Sequence, residues 1–267
     1  LMSLSGPTLT RAASGKIAQR VLAETANGGP TEALVVLTEQ ADLSAAAALT
    51  TKEEKGRFVF NTLRDVAARA QAPLLAWLDA RGVPHQSFYI VNMIKVTGAR
   101  ALMQELAARA DVDRIDANPA VRASLPVPTG VDTAGNAPQA VEWNVARVKA
   151  PDVWALGYTG AGRVVAGADT GVDWTHPALK THYRGWNGTA ADHNYNWHDA
   201  TAAHSTTPVD PGAHGTFTVS QMVGDDGAGN QVGVAPGARI WSVRTLGSTG
   251  GGCLSDVIAG IDWVTAN

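Results

Sequence analysis

The run Arg163-Val-Val-Ala-Gly-Ala-Asp-Thr-Gly-Val-Asp-Trp-Thr-His-Pro177 constrains this chain more than any other stretch. Val164 to Ala168 offer apolar or small residues on both faces of a strand, the pattern of a parallel strand covered by helices on both sides. Asp169 closes the run, so a carboxylate stands at the carboxyl end of a buried strand, where open α/β sheets place their sites. Taken alone, Asp169 reads as the start of a turn that Gly171 completes. A second feature changes that reading. His214-Gly-Thr-Phe-Thr-Val219 begins a helix whose apolar positions run through Val219, Met222 and Val223 to a stop at Gly224. A histidine at a helix start faces the positive end of the helix dipole, a placement suited to a neutral base.

The 267 residues are 45% hydrophobic and 17% charged, with 28 glycines and a net charge of −3. That describes a globular, turn-rich chain of one large or two ordinary domains, neither disordered nor fibrous. The small acidic balance gives no basis for a nucleic-acid or anionic-membrane partner. No apolar run reaches the length of a membrane span, and Leu1 to Thr10 lack the basic start and apolar core of a signal peptide. Cys253 is the single cysteine, so no disulfide forms within the chain.

Residues 1–30 form an amino-terminal extension with a short helix near Lys16 to Ala26. A first domain over 31–122 follows. Thr31 to Leu37 reads as a strand, and a long helix carries Leu63, Val66, Ala67, Ala70, Leu74, Trp77 and Leu78 at helical spacing, kinked or restarted by Pro73 and stopped by Gly82. His85 to Val91 and Met93 to Thr97 read as strands, Arg100 to Ala110 as a helix and Val112 to Ala117 as a last strand. The order β-α-β-β-α-β is the ferredoxin-like arrangement, which names no function.

Residues 123–141 hold Pro126, Pro128, Gly130, Gly135 and Pro138, the composition of a linker open to proteolysis. A second domain occupies 142–267. Val145 to Leu156 reads as one helix stopped by Gly157, followed by the Asp169 strand, the His214 helix, a strand over Ala238 to Leu246, a Gly-rich segment to Gly252 and a helix over Leu254 to Thr265. β-α-β connectivity of this kind implies a parallel sheet. Asp192, Asn194 and Asn196 imitate a calcium loop, but Trp197 and Ala203 stand where such a loop needs Gly and Glu. Asn187-Gly188-Thr189 is a glycosylation triplet by pattern only.

Ala-Asp169-Thr-Gly, Ala-His214-Gly-Thr and Gly233-Val-Ala-Pro236, in this order, resemble the subtilisin-like serine proteases. The finer spelling is similar to their bacillopeptidase F-like branch: W-N-V-A-R-V-K-A-P from Trp143, W-A-L-G-Y-T-G from Trp154, H-P-A-L-K from His176 and N-Q-V-G-V-A-P-G-A from Asn230. V-D-R-I-D-A-N at Val112 to Asn118 echoes the closing strand of that family's pro-domain. The resemblance implies a secreted, extracellular zymogen. Its parts would be an inhibitory, folding-assisting pro-domain, a cleavable linker and the first part of a three-layer α/β/α peptidase domain with a parallel sheet. It also implies that Asp169 orients His214, that His214 is the general base, and that Leu246, Gly250, Gly251 and Gly252 line the groove where a protein or peptide substrate adds as a strand. The pro-domain's carboxyl-terminal tail would occupy that groove as an intramolecular inhibitor.

No G-T-S-x-A stands in the chain, so the nucleophilic serine and the oxyanion Asn are expected outside residues 1–267, and these residues alone are expected to be inactive. Ser220, Ser242, Ser248 and Ser255 lack the motif, and a lone Cys253 beside a Gly-rich loop reads as inert. Catalysis of this kind needs no cofactor and no metal. For structural calcium, Ala178 stands where the family carries an Asp; Asp225, Asp226 and Asn230 are the remaining candidates, against the reading of a solvated acidic turn. Two other readings stay open: an aspartic protease using D-T-G from two chains, and a pro-domain-type inhibitor carrying an inactive remnant.

Overall fold

The computed structural model describes residues 15–122 and 141–267, so nearly all of the expected linker lies outside the described residues. The chain forms two compact units that divide after Pro119.

In the first unit, α1 (Gln19–Glu24) precedes β1 (Thr31–Leu37), α2 (Lys52–Asp79), β2 (His85–Phe88), β3 (Met93–Gly98), α3 (Arg100–Ala107) and β4 (Val112–Ala117). The strands form one sheet in the order β2-β3-β1-β4, every neighbouring pair antiparallel. Ala33, Val35, Leu37, Ile94, Val96 and Ile115 bury one face of it against Leu74 and Leu78 of α2 and Met103 and Leu106 of α3. A capping box starts α2: Thr51 Oγ1 accepts from Glu54 N–H (3.1 Å) and Glu54 Oε2 accepts from Thr51 N–H (3.0 Å). The expected restart at Pro73 does not occur, because α2 runs unbroken through it. Pro73 sits on the exposed side, and the buried stripe continues on both sides of it through Ala67 and Leu74. One lost backbone bond is outweighed by that stripe.

Two expected elements of this unit are shorter than read. β2 ends at Phe88 because the chain turns to place Asn92 in a buried polar cluster: Gln71 Nε2 donates to Asn92 Oδ1 (2.9 Å) and to Phe88 O (2.7 Å), and Asn92 Nδ2 donates to Glu39 O (2.6 Å). α3 ends at Ala107, where Arg109 turns out to chelate Asp111 at 2.9 and 2.6 Å.

The second unit holds β5 (Ala120–Arg122), α4 (Trp143–Arg147), α5 (Ala150–Ala155), β6 (Val164–Asp169), α6 (Pro177–Lys180), β7 (Trp197–Asp199), α7 (His214–Val223), β8 (Arg239–Arg244), β9 (Gly251–Cys253) and α8 (Leu254–Ala266). β6, β8 and β7 form a parallel sheet with β8 in the middle. The single helix expected over Val145 to Leu156 is two helices. Lys149 takes a left-handed φ of 59° between them, and Pro151 stands in the first turn of α5. In a continuous helix that ring would clash with the carbonyl of Arg147.

Helix α7 packs on one face of the sheet through Val219 and Val223 against Ile240, while α8 approaches Val243 on the opposite face, where a Cβ at Gly260 would lie 3.1 Å from Val243 Cγ1. β6 departs from the expected burial on both faces. Among the described residues it lies at the sheet edge, and its face away from α7 is open, with Val164 46% exposed.

Two glycines, Gly167 and Gly215, let α7 approach β6 and the residues after it, and a third, Gly171, lets the 209–210 loop pass close by. A Cβ at Gly167 would lie 2.5 Å from Val219 Cγ1, one at Gly215 2.1 Å from Gly171 O, and one at Gly171 1.8 Å from Val209 O. Gly215→Ala is therefore expected to lower stability by about 3 kcal/mol. Gly82→Ala, left-handed at φ 62° but with no atom within 4 Å of the added carbon, is expected to cost about 1 kcal/mol. Denaturation followed by hydrogen exchange in each unit reads both, and equal costs would show that the Gly171–Gly215 approach is not tight.

Candidate active site

Asp169 is the last residue of β6 and His214 the first of α7. The strand ladder holds Asp169 opposite Arg244, and its carbonyl accepts from Thr245 N–H (2.9 Å) and Leu246 N–H (3.1 Å), so the carboxyl end of β6 is tied to the chain leaving β8. The contact of Gly215 with Gly171 brings the helix start against that end. His214 Nδ1 then lies 2.8 Å from Asp169 Oδ1 and 2.9 Å from Oδ2. Thr170 N–H donates to Oδ1 (2.7 Å), and Thr218 Oγ1 lies 3.3 Å from Oδ2. The two side chains are 20% and 14% exposed, His214 and Asp169 respectively. An Nδ1–H donated to the carboxylate leaves Nε2 as the ring's lone-pair nitrogen, free to accept a proton. Among the described residues no hydroxyl hydrogen-bonds to Nε2. Ser220 Oγ donates to Thr216 O (2.7 Å) and the fully buried Ser242 Oγ to Gly167 O (3.3 Å), so neither serves His214.

Sequence reading missed Asp210. Its Oδ1 accepts from Thr170 Oγ1 (2.7 Å) and Gly212 N–H (3.2 Å), and its Oδ2 from Thr216 N–H (2.7 Å) and Thr216 Oγ1 (2.6 Å). Burial alone would push this carboxyl up, but the bonds from Thr216, Thr170 and Gly212 outweigh it and hold it below the ordinary carboxylate range. The available signal was an Asp shortly before a helix start, the pattern of a capping residue, though Ala213 at φ 58° is the N-cap itself.

Sequence reading also missed a buried ion pair. Arg244 Nη1 contacts Asp199 Oδ2 at 3.1 Å, with side chains 11% and 0% exposed. Asp199 also accepts from Thr201 Oγ1 (2.6 Å), Thr201 N–H (3.0 Å) and Ser205 N–H (3.0 Å). Burial raises its pKa, and these bonds together with Arg244 bring it below the usual value.

Leu246 and the glycines after it continue from β8. Gly247 N–H donates to Gly251 O (2.7 Å), Gly250 N–H to Gly247 O (3.0 Å), and Gly250 turns at φ 73°. Gly251–Cys253 pairs antiparallel with Ala120–Arg122, with Val121 opposite Gly252. The edge expected to receive an added strand thus carries one from this chain. Cys253 lies at the start of α8 and is in no disulfide.

Asp225 Oδ1 accepts from Gly227 N–H (2.8 Å), and Asp226 Oδ1 from Ala228 N–H (2.8 Å) and Asn230 N–H (3.1 Å). Each carboxylate is engaged in its own turn, while Asn230 Oδ1 is buried without a partner. Asn196 Oδ1 is likewise engaged, by Arg184 Nε at 2.6 Å. Among the described residues no group of three or more His, Cys, Asp or Glu could hold a metal ion, and no helix is long and apolar enough to cross a membrane.

Residues 160–267 match the subtilase family, peptidase S8. Bacillopeptidase F of Bacillus subtilis (strain 168) is 36% identical over 250 residues, which are 89% of this chain and 17% of that protein. Subtilisin E of the same organism is 32% identical over 130 residues, 48% of this chain and 30% of the relative. An alkaline protease of Shouchella clausii is 29% identical over 157 residues, 59% of this chain and 36% of the relative. The chain therefore spans well under half the length of these relatives. The stretch that matches the subtilase family, residues 160–267, contains both Asp169 and His214, held against each other as described.

Proposed function

We propose that residues 1–267 belong to the precursor of a secreted subtilisin-like serine endopeptidase. Residues 31–122 are its ferredoxin-like pro-domain, 123–141 the linker where processing occurs, and 142–267 the amino-terminal part of the peptidase domain. The observation that carries this reading is the Nδ1 contact of His214 with both oxygens of Asp169. Asp169 holds the ring in the tautomer that exposes Nε2 and stabilises the imidazolium when it forms. Nε2 removes the proton from a serine hydroxyl as the oxygen attacks the scissile carbonyl, then returns it to the amine as the tetrahedral intermediate collapses. The reading draws that serine, in a G-T-S-x-A setting, and the oxyanion donor from outside residues 1–267. The aspartic-protease reading is disfavoured because the carboxylate of Asp169 is taken up by an imidazole, Thr170 and Thr218, whereas that chemistry couples two carboxyl groups.

The pairing of Ala120–Arg122 with Gly251–Cys253 supports the groove assignment. An extended backbone adds there as an antiparallel strand, drawing affinity from main-chain bonds, and the pro-segment tail inhibits by holding the place of substrate. Catalysis in this scheme requires no cofactor, and Asp225, Asp226 and Asn230 stay the candidates for a structural calcium ion.

In the full-length enzyme Asp169→Asn is expected to lower kcat by about 10⁴-fold, because the amide favours the wrong histidine tautomer. His214→Ala should lose at least as much. Casein hydrolysis by purified variants measures both, and either variant retaining wild-type turnover would remove the pair from catalysis. Residues 1–267 alone should show no serine-type hydrolysis; measurable turnover would mean that they contain a nucleophile of their own. Amino-terminal sequencing of the mature enzyme is expected to place its start between Asn118 and Glu142. A start upstream of Val112 would contradict the boundary.

A further inference from the structure

Asp210 takes no part in the proton transfer proposed above, yet four donors converge on its carboxylate: Thr170 Oγ1, Gly212 N–H, Thr216 N–H and Thr216 Oγ1. Two of these donors are hydroxyls that also accept. Thr170 Oγ1 receives Gly215 N–H (2.9 Å), and Thr216 Oγ1 receives Asp173 N–H (2.8 Å). Each hydroxyl therefore has its single proton directed to Asp210 and its lone pair directed to a backbone N–H, which removes its freedom to rotate. Thr170 follows Asp169 in the chain, and Gly215 and Thr216 follow His214. The network thus ties the residue after the strand-end carboxylate to the first turn of the helix that carries the imidazole.

An aliphatic residue at position 210 would leave Thr216 N–H without its acceptor in a half-buried setting. It would also release the Thr170 hydroxyl to turn away from Gly215 N–H. The backbone contact of Gly215 with Gly171 would keep the helix near the strand, and Thr218 Oγ1 would still face Asp169 Oδ2, but the hydrogen bonds that hold Thr216 in the first turn would be lost. A displacement of the His214 ring by a fraction of an ångström is enough to lengthen its bonds to Asp169.

From this geometry we infer that Asp210 is a positioning residue: through Thr170 and Thr216 it sets the alignment of His214 on Asp169. The inference rests on the reading of that pair as the general-base unit. It differs from a plain helix-capping role in what it predicts, since a cap alone would alter stability and leave the chemical step unchanged.

The test uses the full-length enzyme with Asp210→Asn, which keeps the volume but offers one acceptor oxygen in place of two. The expected result is a fall in kcat of about 10–100-fold, the scale of a slight misplacement of a reacting group. KM should stay within about twofold, because ground-state binding is untouched. The low-field proton resonance of His214 Nδ1–H, which reports the bond to Asp169 directly, should broaden or move upfield. Thr170→Val should reproduce these changes in weaker form, and the double variant should lose less than the two single losses combined, since both act on one path. Should Asp210→Asn fail to fold, Thr170→Val carries the same readings. A folded variant with wild-type kcat, an unaltered resonance, or losses that simply multiply in the double variant would overturn the inference. The resonance is read without turnover, so it tests the alignment even if His214→Ala were to retain activity, which would instead defeat the catalytic reading of the pair.

Discussion

The second unit depends on the absence of side chains where α7 meets the end of β6. With Gly171 left-handed at φ 127° and its carbonyl 2.1 Å from where a Cβ on Gly215 would lie, backbone packs on backbone. Such contact leaves no slack for the first turn of α7, and the imidazole and carboxylate on the two sides of it meet at 2.8 Å. A hydrogen bond between a carboxylate and a partly buried ring is short-ranged and directional. It cannot draw two elements together from a distance; it forms because the glycines have already brought them there.

Charge is handled consistently around that junction. Asp169, Arg244 and Asp199 lie abreast at the carboxyl ends of three adjacent strands. Arg244 turns to Asp199 and leaves Asp169 to His214. Buried Asp199 and half-buried Asp210 are each surrounded by N–H and hydroxyl donors, so neither carboxylate remains without compensation. A buried ion pair adds little net stability over an apolar replacement, but removing one partner strands the other. The arrangement therefore favours one assignment of partners over its alternatives. Arg244 drawn to Asp169 would compete with His214 for the same oxygens and leave Asp199 with hydrogen-bond donors but no counter-ion.

Much of this was legible in the sequence, because the relevant signals are local. The strands Thr31–Leu37, Val112–Ala117 and Val164–Asp169 and the helix His214–Val223 occupy the residues that their apolar pattern indicates, the last two ending at Asp169 and before Gly224. The misreadings involve partners distant in sequence, or a signal that was present and passed over. Pro151 stood in plain view inside a supposed single helix. The shortening of β2 needed Gln71 to reach Asn92 from another element. Asp210 and the Asp199–Arg244 pair acquire meaning only when the chain is folded, since Asp210 meets Thr170 across 40 positions and Arg244 meets Asp199 across 45. The open face of β6 could not be read from Val164 to Ala168, whose pattern reports capacity for burial and not whether a covering element lies among the described residues.

The β9 edge carries a further consequence of chain geometry. Gly251 and Gly252 present backbone without side chains, and an added Cβ at Gly251 would find no atom nearer than 3.7 Å. A strand that binds there is held chiefly by main-chain bonds, which are alike for every sequence. Small residues also specify register weakly. What keeps the edge in place is the segment before it: Leu246 donates its N–H to Asp169 O at 3.1 Å and accepts from Arg244 Nε at 3.3 Å. The same strand-end peptide that supports the carboxylate of the pair thus anchors the segment that leads to β9. The position of that edge relative to His214 is therefore inherited from the carboxyl end of β6.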